Sequence, residues 1–410
     1  MEKLTKLIEQ LCPDGVEYKM LGDIANISRG GSFQKKDFVE EGVPCIHYGQ
    51  IYTKYGLSTN ETFTYISDQV AKKQKYAHPN DIVMAVTSEN IEDVCKCVAW
   101  LGNTSVAVSG HSAIIHHNQN TKYLAYYFHS SMFFTQKRKI AQGTKVIEVS
   151  PNKLNKISIP VPPIEVQAEI VRILDKFTEL TAELTTELTT ELANRKKQYE
   201  YYRHRILSIH SDKELALEEI FYIRNGYTPS KKNPEYWENG DIQWFRLEDI
   251  RQNGRILTRA IKQINSKGVK KSGVIKKNSI MMSTTATLGE HALVCVDYLS
   301  NQQITNFTIK EAYQEYLLPK FAYYCFFELG KSLSAIANYS GGIPIVDQNK
   351  LKKLTLPIPP IEEQRRIVAI LDRFEKLCND ISEGLPAEIE ARQKQYEYYR
   401  DKLLTFTMKE

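Results

Sequence analysis

The chain is written twice. PVPPIEVQAEIVRILDKF at 160–177 returns as PIPPIEEQRRIVAILDRF at 357–374, and at the same offset RKKQYEYYR at 195–203 falls on RQKQYEYYR at 392–400. Across 160–203 and 357–400, 23 of 44 positions are identical, a match that internal duplication explains and chance does not. The stretches ahead of each block follow one order with weaker likeness. LGDIANISRG (21–30) parallels LEEIFYIRNG (217–226), and GVPCIHYGQI (42–51) parallels GDIQWFRLEDI (240–250). DIVMA (81–85) parallels SIMMS (279–283), and NKLNKISIPVPP (152–163) parallels NKLKKLTLPIPP (349–360). Any fold must therefore alternate a variable part and a near-identical part, twice over.

The near-identical parts read as long helices. Pro160, Pro162 and Pro163 cannot sit inside a helix but can lead into one. Behind them Ile164, Ile170, Ile173, Leu174 and Phe177 fall at helical spacing, and Leu180, Leu184, Leu188 and Leu192 continue at i, i+4 through the tandem repeat TAELTTELTTEL. The second copy carries Ile367, Ile370, Leu371, Phe374, Leu377, Ile381, Leu385 and Ile389. A helix this long with one apolar stripe needs a partner; the other copy, paired antiparallel as a coiled coil, is the expected one, and packing of each helix on its own globular domain is the alternative. Gly384 and Pro386 replace Glu187 and Thr189, so an interruption is expected in the second helix near 382–387. The variable parts read as mixed α/β. Short β-like runs (82–86, 106–108, 280–282, 292–296, 307–309) lie between glycine- and asparagine-rich turns. The aromatic helices LAYYFHSSMFF (124–134) and FAYYCFFELG (321–330) read as core. The expected fold class is α+β, with residues 1–158 an N-terminal helix and first domain, 159–213 the first helix, 214–355 the second domain and 356–410 the second helix.

Composition narrows the function classes. A charge of +5 over 410 residues permits nucleic-acid binding without requiring it. Paired basic residues recur at 35–36, 72–73, 137–139, 231–232, 270–271 and 276–277. No window reads as a membrane span, MEKLTKLIEQL lacks the apolar region of a secretory signal, and seven cysteines fit reduced thiols. A cytoplasmic location is expected. Catalytic signatures are missing. Gly330-Lys331-Ser332 resembles the end of a phosphate loop, but Cys325 stands where that loop needs glycine. Cys95, Cys97, His111, His116 and His117 fit no standard zinc spacing. No nucleotide-binding glycine fingerprint or amino-methyltransferase motif is found.

Taken together, the divergent domains, PxPPIxxQ entrances, RKKQYEYYR-type exits and TAEL-type repeat resemble the specificity (DNA-recognition) subunit of a type I restriction–modification enzyme. The resemblance covers essentially the whole chain, and the repeat is similar to that of the subgroup in which the TAEL count varies. It implies that each variable domain reads one half of a split, asymmetric double-stranded DNA target and that the paired helices space the domains. It also implies docking of two modification (methyltransferase) subunits, with restriction subunits as further partners. No catalytic residue, metal or cofactor is then expected on this chain. S-adenosylmethionine, ATP and Mg belong to the partners. Half-site centres about one turn (~10 bp) apart imply an unread gap of roughly six or seven base pairs. A coiled-coil scaffold without a DNA role and a methyltransferase fused to its recognition domains are the rival readings.

Base readout needs hydrogen-bonding side chains on exposed loops, with cations placed for phosphates. The first domain's candidates are Arg29, Ser32, Gln34, Lys35 and Lys36, then Tyr48 and Gln50, then Thr87, Ser88 and Asn90. By internal alignment the second offers Arg224, Asn225, Tyr227, Thr228, Ser230, Lys231 and Lys232, then Arg246 and Glu248, then Thr284 and Thr285. RGGS and NGYTPS are also sequences that form structural turns.

Overall fold

The computed structural model describes residues 2–208, 213–339, 341–379 and 384–409. They form two compact units, Met1–Leu188 with Glu388–Glu410, and Thr189–Ala387.

In the first unit the main sheet has the order Ala25–Arg29, Ser112–His117, Ile82–Ala85, Cys97–Trp100, Ser58–Thr59. The first three pairings are antiparallel and the last is parallel. In the second unit the order is Phe221–Asn225, Ile304–Ile309, Ser279–Ser283, His291–Val294, Ile256–Leu257, with the same pairing senses. Even the register repeats: Arg29 lies opposite Ala113 and Met84 opposite Ala113, as Asn225 lies opposite Thr305 and Met282 opposite Thr305. The weak parallel DIVMA/SIMMS is thus an equivalence of central strands. Those strands are buried throughout, which accounts for continuous apolar runs where a half-exposed strand would alternate. A smaller sheet also recurs, as Thr64–Ile66, Val43–Ile46, Val106–Val108 and as Lys262–Ile264, Ile242–Phe245, Tyr298–Ser300.

The aromatic stretches form core, as their composition suggests, but 124–134 is not one helix: Thr121–Phe128 ends at His129 and Ser130 caps a second helix, Ser131–Ile140. Thr121–Phe128 is capped by the Asn120 side chain, which accepts from Tyr123 N, and Pro319–Ile336 opens on proline. Tyr123, Tyr126, Tyr127, Phe321, Tyr323, Tyr324 and Phe326 are fully buried. Their hydroxyls tie each domain to its long helix. Tyr126 donates to Asp175 Oδ1 at 2.9 Å, and Tyr324 to Asp372 Oδ1 at 2.5 Å. Lys122 and Lys320 pair with the same two aspartates at 2.8 Å. Burial and the neighbouring carboxylates push both tyrosine hydroxyls well above their ordinary range, so they stay protonated and donate to the carboxylates.

The repeated glutamine of PPIxxQ has an equally local cause. Gln167 Nε2 donates to Pro162 O at 2.8 Å and its Oε1 accepts from Asn120 N. Gln364 Nε2 donates to Pro359 O at 2.8 Å and its Oε1 accepts from Leu318 N. Each buried side chain satisfies the entrance prolines' carbonyl and the first turn of the aromatic helix at once. Replacing Gln364 by Leu leaves a buried N–H and C=O unpaired and should destabilise the second unit by about 1–3 kcal/mol per orphaned group. Urea unfolding followed by circular dichroism measures this, and an unchanged midpoint would count against it.

The first long helix is continuous over Ile164–Leu207, 44 residues or ~66 Å. In the second copy Ile361–Asn379 and Leu385–Leu403 are separate helices, with Pro386 in the first turn of the later one, where its missing N–H is harmless. Ile381, Ser382 and Glu383 lie outside the described residues. The pairing is antiparallel. In the first unit Phe177 meets Tyr399 at 6.0 Å and Thr178 Oγ1 lies 3.0 Å from Tyr396 OH. In the second, Tyr199 and Tyr202 stack on Phe374 at 6.3 and 6.1 Å. Leu184, Leu188, Leu192, Leu385 and Ile389 are half-buried, whereas the equivalent Leu180 and Leu377 are 48% and 40% exposed. Aromatics of the QYEYYR segments thus contribute to a seam that the leucine stripe alone does not account for.

Candidate nucleic-acid interface

In each unit the loop after the first strand is pressed against the segment preceding the last strand. Gly30 and Gly226 make this possible. A Cβ on Gly30 would stand 2.2 Å from Ser109 O, and one on Gly226 2.3 Å from Ser300 O and Asn301 O. Gly31 N donates to Val108 O and Tyr227 N to Ser300 O, both at 2.7 Å. A second segment arrives at the end of Val43–Ile46 and of Ile242–Phe245, where a short helix begins and the side chain of its third residue accepts from the N–H of the residue before the helix. His47 N donates to Gln50 Oε1 at 3.2 Å, and Arg246 N to Asp249 Oδ2 at 2.7 Å. His47 and Arg246 are therefore structurally equivalent, as are Ser109 and Asn301, whose N–H groups donate to Ile46 O and Phe245 O.

Around this frame the candidates separate. In the first unit Ser32, Gln34, Lys35 and Lys36 are exposed, with Lys35 and Lys36 in the single 3-10 turn Lys35–Asp37. Ser32 N donates to Gln74 Oε1 at 2.7 Å, which braces the loop from beneath. Arg29 is exposed but engaged, its Nε donating to Gly110 O at 2.9 Å and its Nη2 pairing with Glu148 at 2.8 Å. Tyr48 is half-buried with its ring 4.9 Å from His111. Ser88 is half-buried, and the exposed Asn90 uses its side chain to cap Asp93.

In the second unit Ser230, Lys231, Lys232 and Glu248 are exposed. Thr228 donates to Gln302 Oε1 at 2.6 Å, and Asn225 Oδ1 accepts from Thr305 at 2.8 Å. The Tyr227 ring lies under Lys270 Nζ at 4.4 Å, and its hydroxyl donates to Gly268 O. Arg224 donates to Ser272 O and Gly273 O at 2.6 and 3.1 Å, so it holds the basic turn at Lys270-Lys271 in place. Thr285 is half-buried.

Three candidates need correcting. Gln50 is buried, its Oε1 also accepting from Thr64 Oγ1. Thr87 is buried with Oγ1 3.1 Å from His111 Nδ1, and Thr284 is buried with Oγ1 2.8 Å from Thr305 Oγ1. Gln50 Oε1 and the two threonine hydroxyls are engaged inside the fold, so these residues shape the loops from within. Lys137 of the basic run 137–139 is likewise buried, donating to Glu92 O and Val94 O.

Sequence reasoning missed other members. Gly110, His111, Gln302 and Gln303 join each cluster from the turn before the last strand; a polar tripeptide just ahead of an apolar strand, SGH and NQQ, was the available signal. Residues 142–146 and 341–343 are also exposed. Among the described residues no group of His, Cys, Asp and Glu could hold a metal ion. Cys95 and Cys97 are buried thiols pushed well above their ordinary range by desolvation. Lys331 and Ser332 lie inside the helix Pro319–Ile336 and form no phosphate loop. No described helix is long and apolar enough to cross a membrane.

The electrostatics differ between the units at one equivalent place. His47 is 5% exposed, its Nδ1 accepts from Gly49 N, and burial, with Lys35 and His111 nearby, pushes its pKa down to about 4. It is neutral at physiological pH, where Arg246 is charged.

Comparison with known proteins agrees with the duplicated frame. The model of the type I restriction modification DNA specificity domain matches residues 13–194 and again 212–391. The EcoprrI specificity subunit of Escherichia coli is 43% identical over 199 residues, 47% of this chain and 49% of that one. The EcoR124I/EcoR124II specificity subunit of Escherichia coli is 39% identical over 273 residues, 63% of this chain and 65% of that one. This chain thus spans about half of the first relative's length and just under two thirds of the second's. A Haemophilus influenzae chain assigned as a type I restriction enzyme specificity subunit is 31% identical over 98% of both chains. Among solved structures, a chain from the type I R-M system superposes with TM-score 0.70 at 18% identity, over 95% of this chain and 97% of that one. The HsdS subunit from Thermoanaerobacter tengcongensis gives 0.59 at 16% identity, over 97% and 98%; both likenesses concern the fold. With its family model matched twice in succession and a relative aligned end to end, the chain belongs to the type I restriction–modification DNA specificity family.

Proposed function

We propose that each unit reads one half of a bipartite, asymmetric duplex target through its loop cluster, and that the paired helices set the gap between the halves. One observation carries this reading: the same backbone frame occurs twice with different side chains at equivalent positions. GSFQ at 31–34 stands where the second unit has YTPS at 227–230, and His47 stands for Arg246, while two lysines follow the first loop in both. Constant lysines suit phosphates, which are the same in every sequence, and varied neighbours suit base edges, which are not.

The helices would dock two modification subunits, one at each copy. Tyr201 and Tyr398 are 58% and 61% exposed; identical aromatics left outside the core in both copies support a shared partner surface. S-adenosylmethionine, ATP and Mg would act on partner subunits, restriction subunits among them, in the cytoplasm.

Binding of a bipartite duplex by the chain in complex with its modification partner tests the reading. If Lys35, Lys36, Lys231 and Lys232 each neutralise one phosphate, replacing all four by Gln should flatten the slope of log K against log salt by about 3–4. An unaltered slope, or equal affinity for any duplex, would sink it.

A further inference from the structure

We propose that Arg246 reads a guanine in the half-site of the second unit; this rests on the DNA-reading role proposed above. Arg246 lines an open cleft of about 860 Å³ together with Thr228, Lys231, Trp237, Lys262 and Gln302. Its side chain is 27% exposed, recessed relative to the exposed lysines at 231 and 232. The guanidinium is held from several sides. Its backbone N–H is fixed by the Asp249 cap, Nη2 is ion-paired with Glu248, the guanidinium carbon is 5.6 Å from the Trp244 ring centroid, and Nε is enclosed without a partner. The Trp244 indole is fixed in turn, donating through Nε1 to Tyr227 O at 3.1 Å and meeting Trp237 edge-on at 5.0 Å.

Charge on a mobile arm suffices for a phosphate, and the exposed lysines at 231 and 232 supply that. A planar fork locked in one orientation suits a flat partner with two adjacent acceptors. On a base edge in the major groove only guanine offers that pair, O6 and N7. The carboxylate on Nη2 and the enclosed Nε restrain rotation of the fork at the cleft that Arg246 lines, the preorganisation that makes bidentate reading selective. In the first unit the equivalent His47 is buried and neutral, so this contact belongs to one half-site only.

The test uses the full chain co-expressed with its modification partner, with the methylated motif mapped across the host genome. The second unit's half-site should contain a G·C pair at a fixed position. Arg246→Lys keeps the charge, and Arg246→Ala removes it. Both should relax that one position, with discrimination falling roughly 5- to 150-fold, while the other half-site is unchanged. Glu248→Gln should relax the same position less. In vitro, 7-deazaguanine at that position should weaken binding of the wild-type complex and leave Arg246→Ala indifferent. A half-site without G·C, an unchanged motif in Arg246→Lys, or equal loss with 7-deazaguanine in both proteins would overturn the assignment. A wild-type complex with no sequence preference at all would instead overturn the DNA-reading role on which it rests.

Discussion

Deleting Thr185–Leu188 is expected to shorten the unread gap of the target by about one base pair while both half-sequences stay the same. The segment lies within the unbroken helix Ile164–Leu207, so its loss is absorbed as one shorter helix. Four residues amount to ~6 Å of rise and a net turn of ~40°. One base-pair step is ~3.4 Å and ~35°. The rotation matches one step closely, and the rise matches one or two according to how obliquely the helix runs to the duplex. Because the repeat is itself four residues, the half-buried leucines 184 and 192 stay on nearly the same face, and the seam survives. Methylation at the original motif should fall to background, and methylation at the shortened motif should appear. If TTEL is merely a soluble helix with a leucine stripe, the motif stays as it was and only the unfolding temperature moves.

Exchange of the first variable domain should have an effect of similar size on one half-site alone. The structure shows where to cut. Tyr18–Met20 pairs antiparallel with Ser158–Pro160, Tyr18 opposite Pro160, so the two ends of the domain meet in a two-strand ladder. In the second unit Glu214–Ala216 pairs with Thr355–Pro357. Replacing 21–157 leaves that ladder whole, whereas a cut at 17 removes half of it. The incoming domain must also bring a lysine and a tyrosine for Asp175, in the places of Lys122 and Tyr126. Under these conditions the first half of the methylated motif should become the donor's and the second half should persist. A change in both halves would refute independent reading.

Some of this was open to inspection in one dimension. The offset between copies announced the duplication, the proline entrances and i, i+4 leucines announced the long helices, and Gly384 with Pro386 marked where the second copy differs. Periodicity is a local property, so it survives projection onto a string. The loops behaved otherwise. Gln50, Thr87 and Thr284 look like readers because they are polar and sit in turns, yet each closes a hydrogen bond to a residue between 14 and 24 positions away. His111, Gln302 and Gln303 look like the start of a strand, yet they belong to the clusters.

The sequence by itself determined that the protein is two copies of one plan, that each copy ends in a helix, and that the helices need each other. Repeated residues and apolar spacing suffice for that. Only the tertiary structure decided which polar side chains face outward, because the answer depends on strands far apart in the chain meeting in register. It placed Arg246 and His47 at one equivalent position, one fixed in an open cleft and one buried and neutral. That difference arises from what packs around each side chain, which the chain's order does not record.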